Sequence, residues 1–341
     1  MPARIQGYAL GLGMNKQADI STIATTFNRW RKLDLDIPTL VYGTETDKDE
    51  IGKGHEFISQ VFPTAYDVPG RINKYGSAEF VAWAWAYALG DVAYATSLYT
   101  IKPIDPATTL ELPYWSMVAQ LGEGGGSAID EAYLGLAIED VVTNFKYGPG
   151  RASILTDVTF VGSGRHTIPS AVTLPATLSE NYMLSSSAAV SINGIDYVAG
   201  SPGAKTILNG SMGWKNNLIL PMRYFPGSGL VDNAAVGGRI LIGNRVPTLT
   251  FTAFLQHDSL EYTKLIAQTT GTAVITFTFD ATHFVTWTYH SVSFEMVTRT
   301  QEDGIVAVTV TCAPKYDPTG GPPVNGVLTV TSKNALTAIA Q

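Results

Sequence analysis

A chain of 341 residues with 45% apolar and only 15% charged side chains has material for one large core or two ordinary ones, which excludes disorder for most of it. Its formal charge of -7 comes without any run of Lys or Arg able to neutralise a row of phosphates, so a DNA-gripping surface is disfavoured, while mild acidity suits a surface past which a polyanion slides. The single cysteine, Cys312 in strand-like VTVTCAP, excludes an intramolecular disulfide and a Cys-based metal site and reads as a small buried apolar residue.

The opening MPARIQGYALGLG lacks the basic start and long apolar core of a signal peptide, and no stretch is long and apolar enough to span a bilayer. The expectation is a soluble protein made in a cytoplasm. Residues 21–54 are polar, with TETDKDEIGKG as an exposed loop. RINKYGSAEFVAWAWAYALG then reads as a strand passing into a short helix; alternation with Ala places Trp83, Trp85 and Tyr87 on one side of a strand, as core or subunit contact. Strand-like ELPYWSMVAQLG and a Gly-rich loop at 122–127 follow. EDVVTNFKYGPGRASILTDVTFVG is a long hairpin: Val141, Thr143, Phe145 and Tyr147 alternate up to Gly148-Pro149-Gly150, and Ala152, Ile154, Val158 and Phe160 alternate away.

Shorter pieces occupy 167–226, among them SAAVSINGIDYVAG with an Asn193-Gly194 hairpin cue. The pattern restarts at Arg239-Ile240: a strand near Phe251, a helix in HDSLEYTKLIAQ with Asp258 and Glu261 near its start, and a strand in TAVITFTF. HSVSFEMVTRTQEDGIVAVTVTCAP is then a second long hairpin turning at Gln301–Gly304. Arg71-Ile72, a strand near Phe80, a helical piece, a strand and a hairpin thus recur roughly 150 to 170 residues later, as a tandem duplication would leave them.

Catalytic patterns are missing. His55, His166, His257, His283 and His290 are scattered with no zinc spacing. Gly52-Lys53-Gly54 lacks the Ser or Thr and the leading Gly of a phosphate loop, and DKDEIG puts Ile51 and Ile58 where a calcium loop needs ligands. Glu139 and Asp140 are adjacent and face opposite sides of a strand, so they cannot share acid and base work. No enzyme and no cofactor are expected.

The order of pieces, with GYALGLGMN, GTETDKDEIGKGHEF, GRINKYGSAEFVAWAWAYALG, the hairpin ending LTDVTFVG, SAAVSINGIDYVAG and the closing GVLTVTSKNA, resembles the tail tube proteins of long-tailed, siphovirus-like bacteriophages in the form with two tube units per chain. The resemblance covers nearly the whole chain through patterns more than through invariant motifs. It implies a mainly β fold of tandem β-sandwich or barrel tube domains, each with a long hairpin and a short flanking α-helix. The division expected is a first unit over 1–166, a connection or decorating excursion over 167–230, and a second unit over 231–341.

The resemblance further implies stacked rings around a channel for genome delivery, three chains giving six units per ring, or six chains if the second unit stays outside the barrel. Partners would be further copies, the tape measure, tail terminator and tail tip proteins, and DNA passing unbound, in a virion tail assembled in the host cytoplasm without membrane insertion. Asp140, Asn144, Asp157, Ser293 and Glu295 are the expected channel lining. Tyr147, Gly148, Pro149, Gly150, Arg151, Asp303 and Gly304, at the hairpin tips, are the expected stacking contacts. The other expectation from the residues is a glycan-binding β-sandwich module using Trp83 and Trp85.

Overall fold

The computed structural model describes residues 5–20, 22–30, 34–36, 41–46, 61–123, 128–147, 153–162, 166–167, 174–198, 205–219, 224–225, 229–230, 240–256, 258, 260–302, 304–317, 326–336 and 339. The protein is mainly β, as expected. The first half contains β1 (Ile5–Lys16), β2 (Asn28–Trp30), β3 (Asp34–Asp36), β4 (Val41–Thr46), β5 (Val61–Tyr75), α1 (Ala78–Leu89), β6 (Gly90–Ala95), β7 (Leu98–Pro103), β8 (Trp115–Glu123), β9 (Ala128–Lys146), β10 (Leu155–Gly162) and β11 (His166–Thr167). The second contains β12 (Ala188–Ile192), β13 (Ile195–Val198), β14 (Ile207–Lys215), β15 (Tyr224–Phe225), β16 (Gly229–Leu230), β17 (Val246–Phe254), α2 (Leu260–Ala267), β18 (Gly271–Asp280), β19 (His283–Glu302), β20 (Ile305–Lys315) and β21 (Leu328–Lys333). Apart from the small β15–β16 pair, the strands form one continuous antiparallel network. No helix among the described residues is long and apolar enough to cross a membrane.

Most strands of the two halves repeat each other. β1 pairs with β2 and β8, as β12 pairs with β13 and β18. β5 lies between β3 and β10, as β17 lies between β14 and β20. β9 pairs its first half with β8 and β11 and its second half with β10; β19 does the same with β18, β21 and then β20. Even the irregularities coincide. The register slips between Trp115 and Met117 against β9 and between Gly271 and Ala273 against β19. Glu139 is the extra residue where Thr159 and Phe160 face Asp140 and Ile138, and Glu295 is the extra residue where Thr311 and Cys312 face Met296 and Phe294. One constant offset relates β8 and β9 to β18 and β19 through all these positions. A bulge is a specific backbone feature, and two matched bulges on matched strands point to duplication of a folded unit.

By these pairings the second unit begins at β12, inside the 167–230 stretch read from sequence as connection, and not at 231. β6 and β7 have no counterpart in the second unit; β7 pairs with β21 and so ties the first unit to the second. The hairpins fall where the alternation puts them, with Leu155 opposite Asn144 in the first and Glu302 opposite Ile305 in the second. Asn193 and Gly194 both take positive φ, as a tight hairpin turn requires.

α1 corrects the sequence reading. Phe80, Trp83, Trp85 and Tyr87 lie on a helix, not on a strand, and all twelve residues of that helix are buried. Ser77 caps it, its hydroxyl accepting from the Phe80 N–H at 3.1 Å, and Gly90, at φ 93, closes it in the left-handed conformation that glycine tolerates. Glu79 accepts from the backbone and side-chain N–H groups of Asn181, both at 3.0 Å, tying the helix start to the segment before β12. Helical spacing sends Phe80, Trp83 and Tyr87 to one side, where Trp83 meets Trp115 with ring centroids 5.1 Å apart and Trp30 meets Phe80 at 5.6 Å. Trp85 points the other way, to Trp287 of β19 at 5.9 Å, and donates to Thr143 at 3.0 Å. The helix packs against β6, β7, β9, β19 and β21, so it fills the space between the units and does not flank one of them. One apolar cluster, running from Leu12 to Ile339, passes through both units.

Candidate assembly interface

Within the chain the two units meet at a β-strand seam. β14, the second unit's counterpart of β3, lies along the second half of β9, with Asn209 opposite Lys146 and Lys215 opposite Asp140. Asn216 locks the end of the seam: its backbone N–H donates to the Glu139 carbonyl at 2.8 Å, and its side-chain amide to the carbonyls of Ala88 and Ile138 at 2.9 and 3.0 Å. Its amide oxygen accepts from Trp214 Nε1 at 2.9 Å. Two of these bonds satisfy carbonyls at the Glu139 bulge, those of Ile138 and Glu139 itself. Nothing in the sequence singled out Asn216; its side chain becomes informative only once β9 and α1 are brought together.

The matching segment of the second unit, Met296–Glu302 of β19, pairs with β20 on one edge, and no described strand pairs with its other edge. This edge and its hairpin tip expose apolar side chains: Met296 is 53% exposed, Ile305 52% and Val306 49%. Ile154, which the register equates with Val306, is fully buried under the start of α1. An unpaired strand edge with apolar neighbours is a template for another strand.

The seam joins β5, β10, β9, β14, β17, β20 and β19 into one sheet whose outer face is mainly polar over its middle strands and more apolar at its two ends. Successive strands line up Tyr75, Leu155, Asn144, Ser211, Thr250, Thr311 and Met296 in one row. The adjacent row contains Lys146, Asn209, Thr252, Thr309 and Thr298, with Thr252 and Thr309 hydroxyls 3.0 Å apart. A shallow depression of about 280 Å³ lies over these rows, between Asn144, Lys146, Asn209, Ser211 and Thr250.

Three of the five expected lining residues, Asp140, Asn144 and Asp157, share this face, half-buried. Its charge is mixed where the sequence reading expects mild acidity. Arg71 Nε donates to Asp157 at 2.7 Å, and Lys215 lies opposite Asp140. Partial burial raises the Asp140 carboxyl above its ordinary pKa, with Lys215 opposing the shift. Ser293 is corrected, and Glu295 sits at the bulge. Ser293 is 2% exposed, at the bend where β19 passes from β18 to β20. Glu295 is exposed but is the bulge residue, and the bulge resets the alternation so that Met296 takes the outward place opposite Thr311. Of the expected stacking contacts, Tyr147 is 41% exposed and Gly304 forms the second hairpin's turn at φ 80; Gly148, Pro149, Gly150, Arg151 and Asp303 lie outside the described residues.

Two further polar clusters serve the core. Lys205 reaches Asp258 at 2.8 Å and Glu261 at 3.0 Å, and Tyr197 donates to the same Glu261 oxygen at 3.1 Å, pinning α2 to the β12–β13 hairpin. Lys74 pairs with Glu180 beneath Trp30 and Phe80. Cys312 is buried and its thiol is pushed up to about 12, so it is a packing residue and not a nucleophile. Trp83 and Trp85, 3% and 0% exposed, offer no surface on which a sugar could stack. Among the described residues no three His, Cys, Asp or Glu side chains group as a metal site. No family model matches the chain, and no curated protein matches it significantly.

Proposed function

We propose that this chain is a structural subunit, not an enzyme, which joins copies of itself edge to edge into rings and stacks the rings as the tail tube of a long-tailed bacteriophage. The observation that carries the reading is the β9–β14 seam. It joins two equivalent units in one sheet, while no described strand pairs with the equivalent edge of β19. A contact that uses two different surfaces repeats until the rotation closes a ring, and closed rings that stack head to tail give an open-ended tube. Three chains would supply the six units of a ring.

The polar face of the continuous sheet suits the channel wall. Its Thr, Ser and Asn rows keep it wet, and its paired charges leave no strong field to hold a passing polyanion. The virion tail location, the hairpin-tip contacts between rings, and the tape measure, terminator and tip partners belong to the same proposal and rest on the resemblance. Electron microscopy and native mass spectrometry of the purified chain test it. Rings of six units with a central channel, with the mass of three chains and a tendency to stack, are expected; monomers that stay dispersed on concentration would overturn it.

A further inference from the structure

Resting on that reading, we propose that β3 of a second copy docks antiparallel on the outer edge of Thr300–Glu302 in β19, with Asp34 opposite Glu302, Leu35 opposite Gln301 and Asp36 opposite Thr300. The register comes from the duplication. β3 lies on β5 with Asp34 opposite Asn73, Leu35 opposite Ile72 and Asp36 opposite Arg71. β14 lies on β17 with Asn209, Gly210 and Ser211 opposite Thr252, Phe251 and Thr250. Because Ile72 faces Val158 while Phe251 faces Val310, these pairs occupy the same places, and Asp34, Leu35 and Asp36 match Asn209, Gly210 and Ser211. The matched bulges equate Asn144, Phe145 and Lys146 with Thr300, Gln301 and Glu302. Within the chain Asn209, Gly210 and Ser211 face Lys146, Phe145 and Asn144. Transferring that seam to the unpaired edge gives the three pairs named.

The occupant is therefore a further copy of this chain, because the chain itself already places such a strand on the equivalent edge. The transfer also shows where the contact between chains is weaker than the seam within one. Lys146 faces neutral Asn209, whereas Glu302 would face Asp34, and like charges directly opposite each other are unfavourable. Glu302→Gln should therefore tighten assembly a few-fold, a gain that a role in folding alone would not produce.

Disulfide trapping reads the register. Leu35→Cys and Gln301→Cys, placed on separate chains and mixed under mild oxidation, should give a cross-linked pair of chains, because opposed residues fall within the roughly 4.4–6.8 Å Cα range that a disulfide needs. Asp36→Cys with Thr300→Cys should do the same, which guards against one variant folding badly. Asp34→Cys with Met296→Cys, about 20 Å out of register, should not link. Native Cys312 is buried and does not compete. Rings that form without either in-register link, or with the out-of-register link alone, would overturn this docking and leave the tube reading intact. A chain that forms no assemblies would remove both.

Discussion

The two units have the same strand order and register but bury different things. α1 in the first is enclosed on every side by β6, β7 and β9 and by β19 and β21 of the second unit. α2, at the equivalent place after β17, is eight residues long, has only Glu261 fully buried, and leaves Ile266 83% exposed. The edges differ in the same sense: β9 is covered by β14, while no described strand pairs with the matching part of β19. The first unit is finished by the second, and the second still presents the surfaces that the first has covered. Burial in this protein depends on what stands next to a unit as much as on the unit's own sequence.

Parallel substitutions in the two helices should break the comparison most sharply. Trp85→Ala should cost about 3–5 kcal/mol in urea unfolding, as the loss of a buried aromatic does. Ile266→Ala should change stability by less than about 0.5 kcal/mol. Comparable losses would mean that α1 is not the shared core. Lys205→Met should come next, at about 3 kcal/mol, because it strands Glu261 in the interior beside Tyr197.

The edges can be compared with one residue type. Asp140→Lys sets two like charges side by side with Lys215 and should lower folding stability by about 1 kcal/mol. Met296→Lys, at the equivalent exposed position, should leave the fold within about 0.5 kcal/mol of the parent and abolish assembly, since lysine on an open edge blocks strand addition. Sedimentation of the two variants separates the cases.

The smallest effect is acid sensitivity where β7 and β21 join the units. Partial burial lowers the His290 pKa from its ordinary 6.5, helped by Lys102 and opposed by Asp317, and its Nε2 lies 2.8 Å from the Thr329 hydroxyl. A depressed histidine stabilises the fold while it is neutral. That contribution is complete above pH 6.5 and is lost as the pH falls through the folded-state value. His290→Gln should flatten the acid limb of a melting-temperature profile, and an unchanged profile would assign the limb to other groups.

Much of the fold was legible because strands facing one core show it in alternation. Val141, Thr143 and Phe145 against Val158 and Phe160 are buried along the alternation read, and Asn193-Gly194 turns as read. α2 was legible from the acidic residues at its start. α1 was not, because a helix buried all round has no polar face to mark a 3.6-residue period, and its Ala-Trp-Ala-Trp-Ala-Tyr run imitates a strand. Ser293 failed as lining because it is buried at the bend of β19, and Glu295 is a bulge residue that resets the alternation for every later side chain. The seam was hidden for another reason. β14 and β9 are far apart in the chain, and Asn216 has no partner until both are folded together.

Hydrogen exchange on both edges tests the central claim most directly. In dispersed chains the amides of residues 140–144 should be protected on both sides, by β10 and β14, while those of residues 300–302 that face away from β20 exchange freely; on assembly the second set should become as slow as the first. Protection of 300–302 already complete in the dispersed chain, or no slowing when rings form, would contradict the claim that one chain's seam is repeated between chains.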